Sequence, residues 1–158
     1  MVAVLAHALA VIRRDVLGQS ADPDACAAAA LFHDAPEIFT GDLPTPVKYF
    51  SSDIRRAYGE VEAAAEARLL DLLPESLRPV YAPLIRGGAD PQVHRLVKAA
   101  DKLAAYIKCL EELDAGNRDF RRAAEETLSV LKGYDMPEVD YFLAQFSQAF
   151  GLTLDELN

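Results

Sequence analysis

The chain has 158 residues, of which 51% are hydrophobic and 26% charged, and its formal net charge is -9. These proportions exclude a disordered chain, and the acidic balance argues against binding to long nucleic acid. The sequence has no apolar run of the ~18 residues that a membrane span needs. Its two cysteines are too few for a disulfide scaffold and fit the reducing cytoplasm. The length predicts one domain over residues 1–158.

The first seventeen residues predict an amphipathic helix that Gly18 ends, because Val4, Ala8 and Val11 recur at helical spacing. No Ser, Thr, Asp or Asn precedes this pattern to cap it. We therefore expect residue 1 to be helical already and poorly capped, as in a helix whose first turns are absent.

The second predicted helix begins at an Asp-Pro-Asp signal at residues 22–24 and extends to about residue 39. Pro36 lies inside its pattern and should interrupt the helix just after Asp34. The loop that follows, GDLPTPVKYF at residues 41–50, contains two prolines that should stiffen it.

The rest of the chain predicts further helices and no strand. Residues 51–53 cap a helix to residue 73, a short helix over 74–85 ends at Gly87-Gly88, and a long helix runs from Asp90-Pro91 to about residue 115. Helices over 118–131 and 137–150 and a terminal turn over 152–157 complete an all-α, compact bundle. The predicted apolar stripe of the helix after residue 51 comprises Ile54, Tyr58, Val61, Ala65, Leu69 and Leu72. The predicted inward face of the long helix comprises Val93, Leu96, Val97, Ala100, Leu103, Ala104 and Ile107.

His33 and Asp34 are adjacent near the end of the second helix pattern, and Glu37 follows three residues later. An imidazole nitrogen and a carboxylate oxygen are both ordinary ligands of a divalent ion. Glu37, one helical turn beyond Asp34 and on the same face, can then relay a proton to or from a bound water or a leaving group. An accidental His-Asp pair that caps a helix is the competing interpretation in so acidic a chain.

Asp101 lies at the edge of the long helix's apolar stripe, among alanines. We expect its carboxylate to face a crowded interior, where small neighbours leave room for an ion or a substrate. Pairing with Lys98 or Lys102 is the structural alternative. His33, Asp34 and Asp101 together supply three nitrogen and oxygen ligands from two helices. This is the composition of an open catalytic metal site.

The loop after Glu37 offers polar groups on the same side as this candidate metal site. Asp42 and Thr45 provide a carboxylate and a hydroxyl suited to sugar hydroxyls, and Lys48 provides charge for a phosphate. Proline-rich connections are more often plain stiff turns, so the loop by itself is a modest signal.

These residues lie in a chain that resembles the HD-domain phosphohydrolases and, more narrowly, the YfbR-like 5′-deoxynucleotidases. The resemblance is carried by LFHDAPEIFTGDLPTPVKYF at 31–50, LVKAADKLAAYIKCLEELDAGN at 96–117 and MPEVDYFLAQFSQAFGLTLDELN at 136–158. The His-Asp pair is generic, whereas the GDLPTP loop behind it is much more specific. The resemblance implies an all-α HD domain that uses a divalent metal ion, cobalt or manganese, to remove the 5′-phosphate of (deoxy)ribonucleoside monophosphates.

The resemblance also implies a role for each matching residue. His33, Asp34 and Asp101 would bind the metal ion, and Glu37 would be the acid and base catalyst. The substrate would be contacted by Asp42, Leu43, Pro44 and Thr45, and also by Asp34 and Asp101.

The family pattern includes a histidine ligand a few residues upstream of the position of Met1 and an Arg-Trp pair further upstream, and this sequence has neither. His7 cannot replace that ligand, because nine residues further on it points about half a turn away around the helix. The sequence is therefore either shortened or that of a relative that has lost one ligand.

Two alternatives to the nucleotidase stay open. The first is a non-catalytic HD module that acts as a nucleotide-binding or dimeric interaction protein. The second is an HD phosphohydrolase for a cyclic nucleotide or an alarmone, which the GDLPTP loop disfavours. A homodimer is expected from the resemblance and from the aromatic residues Tyr141, Phe142, Phe146 and Phe150, which exceed what a small bundle needs internally.

Overall fold

A computed structural model describes residues 1–43, 47, 50–86 and 90–151, and all regular elements within them are helical. This confirms the all-α prediction. Within these same residues, no helix is both long and apolar enough to cross a membrane. The elements are α1 (Val2–Val11), a π-helical segment (Ile12–Val16), α2 (Pro23–Leu31), α3 (Glu37–Thr40), α4 (Ser52–Asp71), α5 (Arg78–Ile85), α6 (Pro91–Asp114), a 3-10 turn (Arg118–Phe120), α7 (Arg121–Lys132), α8 (Pro137–Phe146) and a second 3-10 turn (Ser147–Gly151).

Three helices begin where side-chain caps were predicted. Asp22 and Ser51 each accept the backbone N–H three residues ahead, at 3.0 and 3.2 Å, and Asp90 accepts the N–H of Gln92 at 2.8 Å. Each bond satisfies one of the N–H groups that the first helical turn leaves without a partner. The local sequence therefore determines the starts of α2, α4 and α6.

The first helix begins at Val2, with Met1 as an N-cap residue that makes no side-chain hydrogen bond. The poor capping predicted there is confirmed, but the prediction that residue 1 is itself helical is wrong, because Met1 precedes the first helical residue as the N-cap. Beyond Val11 the helix widens to π geometry and stops before Gly18, which has a φ of 65°. Glycine adopts that left-handed conformation without strain, so Gly18 ends the helix as predicted. The hydrophobic pattern did not indicate the π-helical segment.

The hydrophobic core lies where α1, α2 and α6 pack together, and buried residues of α7 and α8 complete it. Every residue of the predicted inward face of α6 is buried. Cys26 and Cys109 are buried free thiols, as small core residues should be, and burial raises the pKa of Cys26 to about 11.

The second helix ends at Leu31, three residues before the break that Pro36 was expected to cause just after Asp34. The reason is that a proline clashes with the carbonyl four residues earlier and offers it no N–H. That carbonyl belongs to Phe32, which instead accepts the N–H of Ala35 at 3.0 Å. The disruption therefore begins at Phe32 and extends to α3.

The prediction that the apolar stripe of α4 packs into the core is wrong. Ile54, Val61 and Leu72 are 36%, 50% and 69% exposed, and only Ala65 and Leu70 are buried in this helix. The helix packs against α3 and α5, at the margin of the bundle. Helical periodicity predicts that one face is apolar, but it does not say whether a partner covers that face.

One further helix start differs from the prediction, and two predicted features are not described. The fifth helix begins at Arg78, four residues after Pro74, because residues 75–77 form a turn. Gly87-Gly88 and the predicted terminal turn over 152–157 lie outside the described residues.

The aromatic residues at the C-terminal end pack on one another. Phe142 is buried, and its ring centroid lies 5.1 Å from that of Phe146 and 6.1 Å from that of Phe150. Tyr141 is half-buried, and Phe146 remains 45% exposed. The bundle itself uses most of this aromatic surface, so the homodimer stays a prediction that needs a different surface.

Candidate functional site

His33 follows the end of α2, and the backbone there holds its ring. Its Nδ1 lies 2.7 Å from the carbonyl oxygen of Ala30. In the neutral ring, Nδ1 therefore carries the donated proton and Nε2 keeps a lone pair. The carbonyl is available because α2 ends before the N–H of Asp34 can bond to it. The helix end thus selects the tautomer of His33.

Two carboxylates lie next to the lone pair of His33. Its Nε2 is 2.9 Å from Oδ2 of Asp34 and 3.8 Å from Oδ1 of Asp101. Nε2 is buried and has no hydrogen bond of good geometry within the described part of the chain. A lone pair and two carboxylates repel one another unless a cation lies among them. The donor set therefore fits a divalent ion.

The spacing of these atoms shows how far the site is preformed. With metal–ligand bonds of about 2.0–2.2 Å, neighbouring ligands lie about 3 Å apart, which the 2.9 Å between His33 and Asp34 matches. The 3.8 Å to Asp101 is wider, and the described residues contain no group of three His, Cys, Asp or Glu already arranged to hold an ion. Asp101 would have to turn toward His33 to complete the set.

Asp101 is not in a crowded interior, and that expectation is wrong. Its side chain is 52% exposed, because it lies at the margin of α6 while the neighbouring Ala100 faces the core. Openness suits a reactive site, since water and substrate must reach it. The pKa of the Asp101 carboxyl is lowered chiefly by His33, and then by the charges of Lys102 and Lys108. Burial opposes this by raising the pKa.

The neighbouring carboxylates raise the pKa of His33. Asp101 is the largest cause, burial opposes it, and the charge of Asp34 adds to the rise. Since the 3.8 Å between His33 and Asp101 exceeds hydrogen-bond range, we attribute the effect of Asp101 to charge attraction. Both shifts show that this pocket favours positive charge at His33.

Glu37 begins α3 and is half-buried. Its N–H donates to the carbonyl of Asp34 at 3.0 Å, within a run of bonds between residues three apart. In such a turn, side chains three residues apart eclipse one another, so we expect Asp34 and Glu37 to share a face. A tight turn achieves this instead of the α-helical turn that we expected.

The loop after α3 is described only at its start. Asp42 is exposed and Leu43 half-buried. Pro44, Thr45 and Lys48, also predicted to contact substrate, lie outside the described residues.

Three contacts that hold the site were not predicted. They are the Ala30 carbonyl on His33, the hydroxyl of Tyr58, which donates to the Gly41 carbonyl at 3.3 Å, and the guanidinium of Arg68, 5.2 Å from the ring centroid of Phe39. Tyr58 and Arg68 belong to α4, and no short-range pattern pairs them with residues 17 to 29 positions earlier.

The helical fold, together with a His-Asp pair facing an Asp from a second helix, defines an HD-domain phosphohydrolase. A solved HD-domain phosphohydrolase from Listeria innocua superposes with a TM-score of 0.81 and 27% identity over 94% of this chain and 72% of that one. Proteins of this class generally depend on a divalent metal ion. The predicted hydrolase class is confirmed.

Sequence comparison narrows the class to one family. The model of the family described as 5′-deoxynucleotidase YfbR-like matches residues 1–150. A 5′-deoxynucleotidase of Vibrio cholerae is 48% identical over 99% of this chain and 81% of its own length. The 5′-deoxynucleotidase YfbR of Escherichia coli is 46% identical over 99% of this chain and 79% of its own length. The chain belongs to the YfbR-like 5′-deoxynucleotidase family, as its sequence motifs indicated.

Proposed function

We propose that this protein hydrolyses the 5′-phosphate ester of (deoxy)ribonucleoside monophosphates with the help of a divalent metal ion. One observation carries the metal site: the buried Nε2 of His33 lies beside the carboxylates of Asp34 and Asp101 without a hydrogen bond of good geometry within the described residues. The substrate class follows from the family. A non-catalytic module is disfavoured, because the relatives at 48% and 46% identity are named as enzymes.

His33, Asp34 and Asp101 are the residues that would hold the ion. Nitrogen and oxygen ligands of this kind suit cobalt or manganese, which are our proposed metals. When bound, the ion supplies positive charge for the phosphate and makes a bound water more acidic. Because Asp101 is partly exposed, both the phosphate and the water can reach this site from solvent.

Glu37 is the proposed proton carrier. Water attacks phosphorus, the bond from phosphorus to the 5′-oxygen breaks, and the products are a nucleoside and inorganic phosphate. The attacking water loses a proton and the departing 5′-oxygen gains one, and a single carboxylate can serve both transfers in turn. The backbone turn between Asp34 and Glu37 supports this role, because side chains three residues apart in such a turn eclipse one another.

The sugar would be recognised by the loop after Glu37, at Asp42, Leu43, Pro44 and Thr45. Asp34 and Asp101 would also contact the substrate, because a phosphate that binds the ion would lie beside these two carboxylates. A preference for deoxyribose requires that the loop crowd a 2′-hydroxyl or leave it without a hydrogen-bond partner.

The test of the reaction is Glu37→Ala, assayed by inorganic phosphate released from deoxy- and ribonucleoside 5′-monophosphates with cobalt or manganese added. We expect the rate to fall by at least about 100-fold while metal content and helix content stay unchanged. Glu125→Ala, at an exposed position of α7, is the matched control. Hydrolysis by Glu37→Ala at the unmutated rate would refute the role of Glu37. A wild-type protein that releases no phosphate from any of these nucleotides would refute the proposed function.

We also propose that residues 1–158 form one HD domain, that the protein is cytoplasmic, and that it is a homodimer. The family match over residues 1–150 supports the single domain. The two free, buried cysteines, Cys26 and Cys109, support a reducing compartment.

The outer face of α4 is the surface that we propose for the dimer, with a second copy of this chain as its partner. Its exposed apolar residues Ile54, Ala57, Val61 and Ala64 recur three or four positions apart, and the exposed Leu72 follows the last residue of the helix. The same helix carries exposed basic residues, Arg56 and Arg68, and exposed acidic ones, Asp53, Glu60 and Asp71. A two-fold axis would bring this apolar stripe against the same stripe of the second copy and would bury both.

A further inference from the structure

Gly41 connects two parts of the proposed site. Its N–H donates to the carbonyl of Glu37 at 2.8 Å, and its own carbonyl belongs to the peptide group that leads into Asp42. One residue therefore links the proposed proton carrier to the first residue proposed to recognise the sugar.

The backbone of Gly41 cannot hold that peptide group by itself. Its φ of 67° and ψ of 167° lie in a region that is essentially restricted to glycine. A Cβ there would meet no atom within 4 Å, so the conformation, and not crowding, requires glycine. Because glycine populates several backbone regions readily, the direction of the following peptide group depends on contacts from elsewhere.

Two hydroxyl groups provide those contacts. Thr40 and Tyr58 donate to the Gly41 carbonyl at 2.9 and 3.3 Å. Thr40 is the neighbouring residue and moves with the turn, whereas Tyr58 projects from the 20-residue helix α4. Arg68, on the same helix, holds the preceding Phe39 by a cation–π contact at 5.2 Å. Since a peptide group is planar, fixing its carbonyl also fixes its nitrogen, which belongs to Asp42.

We infer that Tyr58 is a positioning residue for sugar selectivity: its hydroxyl holds the peptide group between Gly41 and Asp42, and so aims Asp42 at the sugar. The inference rests on the proposed function, because Asp42 has a sugar to recognise only in a nucleotidase. Tyr58 does not take part in the chemical step, and its removal should leave the metal ligands and Glu37 in place.

The test is Tyr58→Phe, which removes only the hydroxyl, with Tyr141→Phe as a control at a half-buried tyrosine of α8. For a deoxyribonucleoside 5′-monophosphate, we expect KM to rise about 3- to 10-fold, which is the effect of losing one hydrogen bond. The value of kcat should stay within about twofold of the wild type. The ratio of kcat/KM for the deoxyribonucleotide to that for the matching ribonucleotide should fall. Metal content and the melting temperature should match the wild type, and Tyr141→Phe should change none of these quantities.

A second measurement does not require activity. The Gly41 amide, bonded to Glu37, should exchange its hydrogen several-fold faster in Tyr58→Phe than in the wild type, as seen by NMR, and at the wild-type rate in Tyr141→Phe. Unchanged exchange would overturn the inference.

The remaining outcomes separate this inference from the proposed function. In an active protein, an unchanged preference between the two sugars, or a loss of kcat together with metal, would overturn the positioning role. If the wild type hydrolyses no nucleotide, the proposed function fails and sugar selectivity fails with it.

Discussion

A single backbone oxygen prepares His33 for its proposed role. Because the carbonyl of Ala30 occupies Nδ1, the side that faces Asp34 and Asp101 is the lone pair of Nε2. Histidine ligands of metal ions in proteins are held in this way, by a hydrogen bond at the nitrogen that does not bind the metal. A neutral His33 therefore needs no rearrangement of its ring to bind an ion.

Asp101 provides the residue-scale prediction, since it is the one proposed ligand that comes from a distant helix. Asp101→Asn keeps the shape of the side chain and removes its negative charge. We expect the dissociation constant for cobalt or manganese to rise at least about 10-fold, because a carboxylate is a far better ligand than an amide for such an ion. Isothermal titration calorimetry on the isolated protein measures this without any assay of activity.

The control for this prediction is Asp114→Asn, at the exposed end of the same helix. It makes the same change of charge and should leave metal affinity unaltered. Equal metal affinity in Asp101→Asn and the wild type would exclude Asp101 as a ligand.

At the scale of elements, a buried ion pair joins the π-helical segment to α8. Nη1 of Arg13 lies 3.0 Å from Oε1 of Glu138, whose side chain is fully buried. Within the described residues, Nε of Arg13 and Oε2 of Glu138 have no hydrogen-bond partner. A pair held in this way is costly to break on one side, because a buried charge is left alone.

Arg13→Met should therefore lower the free energy of unfolding by about 3–5 kcal/mol, measured by urea denaturation. The double variant Arg13→Met with Glu138→Leu should be more stable than Arg13→Met alone, since no isolated charge remains. Arg122→Met breaks an exposed pair with Glu126 at 2.7 Å and should leave the free energy of unfolding nearly unchanged, because water already solvates both charges. A double variant as unstable as the single one would show that packing, and not the unpaired charge, dominates.

At the scale of the whole molecule, the exposed stripe of α4 predicts the oligomeric state. Light scattering of the wild type at micromolar concentration should give twice the mass of one chain. Val61→Asp places a charge at the centre of the stripe and should shift the protein to monomer, because an unpaired charge at an interface core is costly. Val130→Asp, on α7, makes the same change at a similarly exposed valine, 44% against 50%.

The control variant Val130→Asp should remain a dimer. A monomeric wild type would refute the homodimer, and a dimer that persists in Val61→Asp would place the interface elsewhere on the molecule.

Features that depend on a few neighbouring residues followed from the sequence alone. The capping residues Asp22, Ser51 and Asp90 determine three helix starts, and Gly18 determines a helix end. The inward face of α6 follows from helical periodicity, because its apolar residues recur three or four positions apart and all of them are buried. The His-Asp pair and the loop after it identified the family for the same reason: they are contiguous in the chain.

Only the tertiary structure decided which of these surfaces are covered and which distant groups meet. The stripe of α4 and the side chain of Asp101 are exposed because, in the part of the chain that the structure describes, no element packs over them. Periodicity carries no information about such neighbours. The contacts of Tyr58 with Gly41 and of Arg13 with Glu138 join residues 17 and 125 positions apart. Such pairs form when helices pack, because packing, and not local propensity, determines which side chains come within hydrogen-bond distance.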